Sequence, residues 1–421
     1  MIKAESSYNG VLLIAPIVVG AFLSGIVYLA EGAAIPLTIF QLALIAGFLL
    51  FFVKKLSLKE IDIEVYGLEI FYLLFLAIIL FSLIYSPERA QGLFSVIRFS
   101  ISLGLTYLIY NAINSEKELK IICAVIIGVA LVVAVQNLMQ TYLNPEIAAF
   151  NYLNQGEKLL RAKGTENDPN IFASNFIMPV MLLVAFIGSA KTKTVKLVLF
   201  GVAAVIISAV LVSYSRSSWV AIFIGVAIIL IRQRQFSFIL YSLLAFLLAF
   251  SMSGTIQNLV FSVFERFLDI FSGVSDDSSK FRILLAQTAF LMAFDTYLLG
   301  VGYESFSTVF QKYHPPQETI GIYEPHNEFY AVFAELGLIG LVVFLIIIFK
   351  VISAGINTLK KYEARNLDSS IVLALLASFI AYMCFFQFLS GMQHHNLLMI
   401  NIGLLFCTRK VLFLGTYSSK E

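Results

Sequence analysis

The strongest constraint on this chain is a succession of long, nearly uncharged apolar runs. Twelve can be marked, at roughly 11–30, 34–53, 68–86, 94–114, 121–141, 171–190, 197–213, 218–231, 236–253, 328–349, 370–389 and 396–408. Most reach the ~20 residues a helix needs to cross about 30 Å of hydrocarbon. The runs are continuous and lack period-two alternation, so they read as helices and not as barrel strands. Hydrophobic residues make up 60% of the 421 and charged residues only 13%. Soluble domains run at about 45–50% apolar and roughly 25% charged. An ordinary soluble enzyme, a disordered chain and a secreted disulfide scaffold are thereby excluded. The expected fold is an all-α integral membrane protein of about 12 transmembrane helices, a single polytopic domain over 1–421. The first run is long for a signal-peptide core and a second follows at once, so no cleavable leader is expected. Cys123, Cys384 and Cys407 each sit inside an apolar run and read as small buried hydrophobes.

Orientation follows from lysine and arginine. With a cytoplasmic N-terminus, the inner segments carry 18 of the 28 basic residues, from Lys3 to Lys420. The outer segments then hold nine, among them Arg161, Lys163, Arg216, Arg282 and Lys312, and Arg98 lies inside the fourth run. Both termini are expected inside. Two long outer segments remain, about 142–170 and 254–327, and long loops on one side are where function concentrates. In the second, Ile256, Leu259, Val260, Val263, Phe264, Phe267 and Phe271 recur at three and four, which predicts an amphipathic surface helix. A further helix is expected from Ser279 to Leu299, stopping at Gly300 and Gly302. The segment 254–327 is thus read as a large outer loop forming a helical cap.

The polar chemistry gathers at this outer side. Arg161 and Lys163 precede Asp168-Pro169-Asn170, where Asp168 reads as a helix N-cap and Pro169 as the first helical residue. Arg216 stands in the tight Ser215-Arg216-Ser217-Ser218 turn, and Arg282 near the start of the cap helix. A guanidinium bonds two phosphate oxygens at once, so several arginines near one membrane face suit a pyrophosphate whose lipid tail stays in the bilayer. Arginines near span ends also simply snorkel to lipid phosphates. Arg98, inside a span, must pair or face a cavity. Pro325-His326-Asn327-Glu328 opens the tenth run; His326 can take a proton near neutral pH, and Asn327 and Glu328 can orient it or cap the helix. His394 and His395 are adjacent and face different sides of a helix, and His314 reads as a loop residue. No HExxH, no P-loop, no strand-borne GxGxxG and no DxD in a polar outer loop is present. Neither a bound metal nor a nucleotide cofactor is expected, and a net charge of +2 gives no reason to expect nucleic acid.

In order, the blocks Arg161-Ala162-Lys163-Gly164, Asp168-Pro169-Asn170-Ile171-Phe172-Ala173 and Ser215-Arg216-Ser217-Ser218-Trp219 are followed by Arg282. Then come Gly300-Val301-Gly302-Tyr303-Glu304-Ser305-Phe306, Pro325-His326-Asn327-Glu328-Phe329 and Glu335-Leu336-Gly337. Over about 160–350 the chain resembles the bacterial O-antigen ligase/polymerase superfamily. The resemblance implies a multi-pass protein of the bacterial inner membrane with a periplasmic active site. It implies a glycosyltransferase that takes a glycan from undecaprenyl pyrophosphate and moves it to an acceptor hydroxyl, on lipid A-core or another glycan, without metal or nucleotide. By position, Arg161, Arg216 and Arg282, with Lys163 beside them, match the pyrophosphate-holding cations, and His326 the essential loop histidine; Asp168, Asn170, Asn327 and Glu328 are supporting residues.

The expected step is a single inverting displacement, with His326 as base and the cations neutralising the leaving pyrophosphate. Two other readings are kept. One is a polymerase using a second lipid-linked repeat as acceptor. The other, of a different class, is a polysaccharide or lipid transporter or flippase. Twelve spans suit transport, but transporters place polar groups near the midplane, and here the spans are largely uncharged.

Overall fold

An apolar segment in lipid must satisfy its own backbone, and a helix does so internally. A computed structural model of the chain describes residues 9–23, 38–57, 63–144, 149–154, 157–235, 277–314, 324–392 and 395–418. Helices α1 (Asn9–Phe22), α2 (Ile39–Ser57), α3 (Glu69–Ser82), α4 (Arg89–Ala112) and α5 (Glu116–Leu143) come first. A hairpin of β1 (Ala149–Asn154) and β2 (Glu157–Ala162) follows, antiparallel with Ala149 opposite Ala162. Then come α6 (Pro169–Ser174), α7 (Ile177–Ser189), α8 (Lys193–Val212), α9 (Arg216–Arg232), α10 (Asp277–Asp295) and α11 (Phe306–Tyr313). The chain closes with α12 (Glu328–Ala364), α13 (Ser370–Phe385) and α14 (Asn396–Ser418).

Seven helices among the described residues are long and apolar enough to cross a membrane, and three shorter apolar ones accompany them. The chain is an all-α multi-pass membrane protein. Eleven of the twelve expected runs coincide wholly or in part with described helices. The ninth run (236–253) and the amphipathic helix at 256–271 lie outside the described residues. Several boundaries differ from expectation, three of them by the chemistry of the chain beyond the apolar stretch. Helix α12 runs to Ala364 and α14 to Ser418, because turns bearing Lys360, Lys361 and Arg409 continue past the apolar run. Helix α10 ends at Asp295, not Leu299, because Tyr297 and Leu298 take left-handed backbone (φ 53° and 64°). The β-hairpin is an addition that apolar periodicity could not reveal.

Local signals act where the sequence put them. Ser115 accepts the Glu118 amide (3.2 Å) while the Glu118 carboxylate accepts the Ser115 amide (3.1 Å), the capping box that opens α5. Asp168 Oδ1 accepts the amides of Asn170 (2.7 Å) and Ile171 (3.1 Å), with Pro169 in the first turn of α6. Burial sorts the bundle into centre and rim: 83% of the α6–α7 span and of α14 lies inside the protein, against 22% of α2 and α8. Helix α13 is walled by α7, α9, α12 and α14, and its residues are almost all buried. The Arg232–Glu363 ion pair and the Lys410–Glu64 pair (2.7 Å) tie the helix ends remote from the outer-loop residues.

One helix is broken. Gly337 interrupts α12 with φ 67° and ψ −164°. The turn after α10 seals the break: the amides of Val301 and Gly302 donate to the carbonyls of Ala334 (2.9 Å) and Glu335 (3.0 Å), and the Leu338 amide donates to Leu298 O (3.0 Å). A Cβ at residue 337 would collide with the Leu298 carbonyl, and one at Gly300 with the Glu335 carbonyl, so both positions require glycine. Irregular backbone at membrane depth survives where protein covers it, as this turn does.

Candidate active site

A cavity of about 1220 Å³ opens beside this break. Its arm is apolar, lined by Phe75 and Ile79 of α3, Phe94 and Ile97 of α4, and Leu336 and Phe344 of α12. Phe94 and Ile97 are about half exposed (53% and 49%), so the arm opens sideways from the bundle. Its mouth is polar, lined by Asp168, Asn170, Glu304, Glu324, His326 and Ser390, with Glu88, Gln91 and Arg98 on α4 or just before it. Arg98, which had to pair or face a cavity, faces this one.

His326 stands two residues before α12 in left-handed backbone, φ 50°. Burial, and then the positive Arg282, hold its imidazole below the usual histidine pKa; Asp168 pulls the other way. The ring is therefore neutral at pH 7 and able to accept a proton. The next two residues fix its backbone. Asn327 caps α12, accepting the amides of Phe329 (2.9 Å) and Tyr330 (3.1 Å) and donating to Gln387 O (3.0 Å). Glu328 is buried, and its carboxylate accepts the amides of Gly391 (2.7 Å) and Met392 (3.1 Å). Both residues thus fasten the start of α12 to the end of α13.

The cations lie around this mouth in different ways. Arg161 donates from Nε to Ser213 O (3.0 Å) and from Nη2 to Asn170 Oδ1 (2.9 Å), sewing the hairpin to α6 and to the turn that carries Arg216. Arg216 is the first residue of α9 and half-buried. Arg282 is exposed on α10, close enough to act on His326. Lys163 follows β2 and is half-buried. Asp168, Asn170, His326 and Glu328 line the cavity, whereas Arg161, Lys163, Arg216, Arg282 and Asn327 stand outside its lining among the described residues.

The other described histidines serve the fold. His395 is buried; its Nδ1 accepts the Leu398 amide (3.2 Å), so Nε2 carries the proton and donates to Ser174 Oγ at 2.7 Å. Burial pushes its pKa down to about 4. His314 pairs with Thr288 Oγ1 (2.9 Å) and stacks on Phe310. His394 lies outside the described residues. Among the described residues no three His, Cys, Asp or Glu side chains converge as metal ligands do.

Glu304 and Glu324 were missed by sequence reasoning. Glu304 sits in left-handed backbone (φ 61°), and partial burial, Asp168 and Glu304 raise the Glu324 carboxyl pKa. The only advance signal was the position of Glu304 between Gly302 and Phe306, after a glycine pair.

Residues 201–345 match the family model described as O-antigen ligase, a segment that holds Arg216, Arg282 and His326 but not Arg161. A solved structure, titled "Structural coordination of polymerization and crosslinking by a peptidoglycan synthase complex", is similar with a TM-score of 0.45 and 15% identity, over 81% of this chain and 97% of that one. No curated protein matches the chain.

Proposed function

We propose that this chain, similar over residues 201–345 to the O-antigen ligase family, is a glycosyltransferase of the ligase type. It moves a glycan from undecaprenyl pyrophosphate to an acceptor hydroxyl, lipid A-core in the first instance, at the periplasmic face of the bacterial inner membrane. The observation that carries this reading is a neutral histidine at the mouth of a cavity whose apolar arm opens toward lipid. On this reading a polyprenyl chain lies along the apolar arm and its pyrophosphate meets the cations that stand around the mouth.

The acceptor oxygen attacks the anomeric carbon, its proton passes to His326, and the bond to the pyrophosphate oxygen breaks. The electron pair leaves with undecaprenyl pyrophosphate, and the anomeric configuration inverts. Arg216 and Arg282, with Arg161 and Lys163 around them, neutralise the charge gathering on that leaving group. One such contact is worth roughly 3–4 kcal/mol in a site shielded from water. Neutralisation makes pyrophosphate leave readily, so no acid is needed at its oxygen. Asp168 and Asn170 hold the wall against which Arg161 is braced, and Asn327 and Glu328 set the backbone of His326.

The test uses purified protein in detergent with an undecaprenyl-pyrophosphate glycan and lipid A-core, EDTA present and nucleotide absent. Glycan on lipid A-core supports the ligase. A ladder of carrier-linked chains makes the protein a polymerase. No transfer with folded protein and several acceptors returns the reading to transport.

A further inference from the structure

One charge in the cavity is left over by the chemistry of the mouth. Arg98 is the tenth residue of α4, about 14 Å along the helix from its start beside the mouth. Its backbone is therefore level with the apolar arm, one residue past Ile97 and about one turn past Phe94. Gln91 and Ser95 precede it at helical spacing and line the same cavity, so a polar track descends α4 beside Phe94, Ile97 and Ile101.

Arg98 is exposed, and it makes no hydrogen bond or ion pair among the described residues. It is also the one lysine or arginine of the cavity lining among the described residues. Carboxylates recur around the rest of that lining, among them Asp168, Glu304 and Glu324. An anion entering the cavity is thus repelled along much of the wall and attracted at Arg98. A guanidinium within a membrane-spanning helix is costly unless an anion or water meets it, and such residues mark the path of a substrate.

The lateral opening limits what that anion can be. Phe94 and Ile97 border it, so a ligand using it arrives from the bilayer with its hydrocarbon in the arm. The charged group of such a ligand stands where the arm meets the polar mouth. A phosphate joined directly to a long hydrocarbon chain satisfies both conditions, and the planar fork of arginine takes two of its oxygens at once.

We propose that Arg98 binds the phosphate adjoining the hydrocarbon tail of the polyprenyl pyrophosphate carrier and holds it as it enters sideways from the bilayer. The proposal rests on the glycosyl-transfer reading for the identity of that carrier. Arg98 is thereby a binding residue inside the cavity, separate from the cations around its mouth.

The test uses Arg98→Gln and Arg98→Lys in the purified full chain, with glycan-free undecaprenyl pyrophosphate as the probe. Binding is read by thermal shift, so it does not depend on transfer. Arg98→Gln should need at least about tenfold more probe than wild type for the same shift, as loss of a charge-assisted hydrogen bond requires. Arg98→Lys should fall between them, since it keeps the charge and loses the fork. Without probe, the midpoint of Arg98→Gln should hold, because an unpaired charge has been removed from apolar surroundings. A lowered midpoint would show that Arg98 is spent inside the fold and overturns the proposal, as does wild-type affinity in Arg98→Gln. Displacement of the probe by phosphatidylglycerol at equal concentration would make the site a contact for any lipid phosphate, and overturns the assignment to the carrier. In the EDTA transfer assay, Arg98→Gln should raise donor KM and leave acceptor KM unchanged; a rise confined to acceptor KM contradicts the proposal. Arg98-dependent binding without transfer by the wild type would instead remove the glycosyl-transfer reading and keep Arg98 as the carrier contact.

Discussion

Four cations near the cavity and the carboxylates of its lining differ in placement: Arg161, Lys163, Arg216 and Arg282 stand outside the lining among the described residues, whereas Asp168, Glu304, Glu324 and Glu335 are part of it. Among the cations, Arg161 points into the protein and spends Nε and Nη2 on Ser213 and Asn170. Among the carboxylates, Glu335 is half-buried and accepts the amides of Glu304 and Phe306, and both Glu304 and Glu335 line the cavity. Arg161 and Glu335 thus each hold partners within the fold. On the proposed reading the cations serve the donor pyrophosphate and His326 the acceptor hydroxyl. A count of charges on one face of a membrane protein does not tell these roles apart.

The largest expected effect tests the residue assigned to the acceptor. His326→Ala should lower turnover by about 10²–10⁴ with the fold retained, because Asn327 caps α12 independently. Near-normal turnover in single-turnover assays with saturating substrates would remove the base assignment. The cations come next. Arg216→Ala should cost roughly 10²-fold in transfer. Arg161→Ala should lower the thermal midpoint, by about 2 kcal/mol of stability, since Ser213 O and Asn170 Oδ1 lose their donor. A wild-type midpoint in Arg161→Ala would remove its bracing role.

The pH profile sharpens the picture further. His326 has its pKa lowered, so kcat/KM should stay level down to pH 6.5 and fall only below it. Arg282→Ala removes a positive neighbour, lets the pKa rise and should move that limb upward. Asp168→Asn keeps a capping side chain, removes the negative neighbour and should move it downward. Shifts in the reverse directions would show that another group titrates. The smallest effect belongs to His395. Its pKa is depressed in the fold, so its contribution to stability is complete above about pH 6.5 and drains away as pH falls toward 4. Ser174→Ala should cost about 1 kcal/mol by leaving Nε2–H without its partner, with transfer activity unaffected.

Much of the helical plan was legible because burial in lipid and burial in protein demand the same apolar runs. Asp168 as N-cap, Pro169 in the first turn and Arg216 opening a helix were readable from local backbone chemistry. Contacts between distant segments were not. Nothing in Arg161 announces Ser213, 52 residues away, and Glu328 looked like a partner for its neighbour His326 until Gly391 and Met392 claimed it. Glu304 was hidden for the same reason, since its orientation is dictated by a residue 31 positions on. The break at Gly337 left no clear trace in the hydropathy, because Leu336 and Leu338-Ile339 carry the apolar run across it.

That break has a consequence for how the molecule breathes. In an unbroken helix each amide is protected by its own helix, and its exchange with solvent reports local fraying. Here the Leu338 amide is guarded by Leu298, and two carbonyls of α12 are guarded by the turn that follows α10. The turn cannot lift without exposing the helix, and the helix cannot open without freeing the turn. Native-state hydrogen exchange should accordingly find Leu338, Val301 and Gly302 exchanging together as one cooperative unit, distinct from the amides farther along α12.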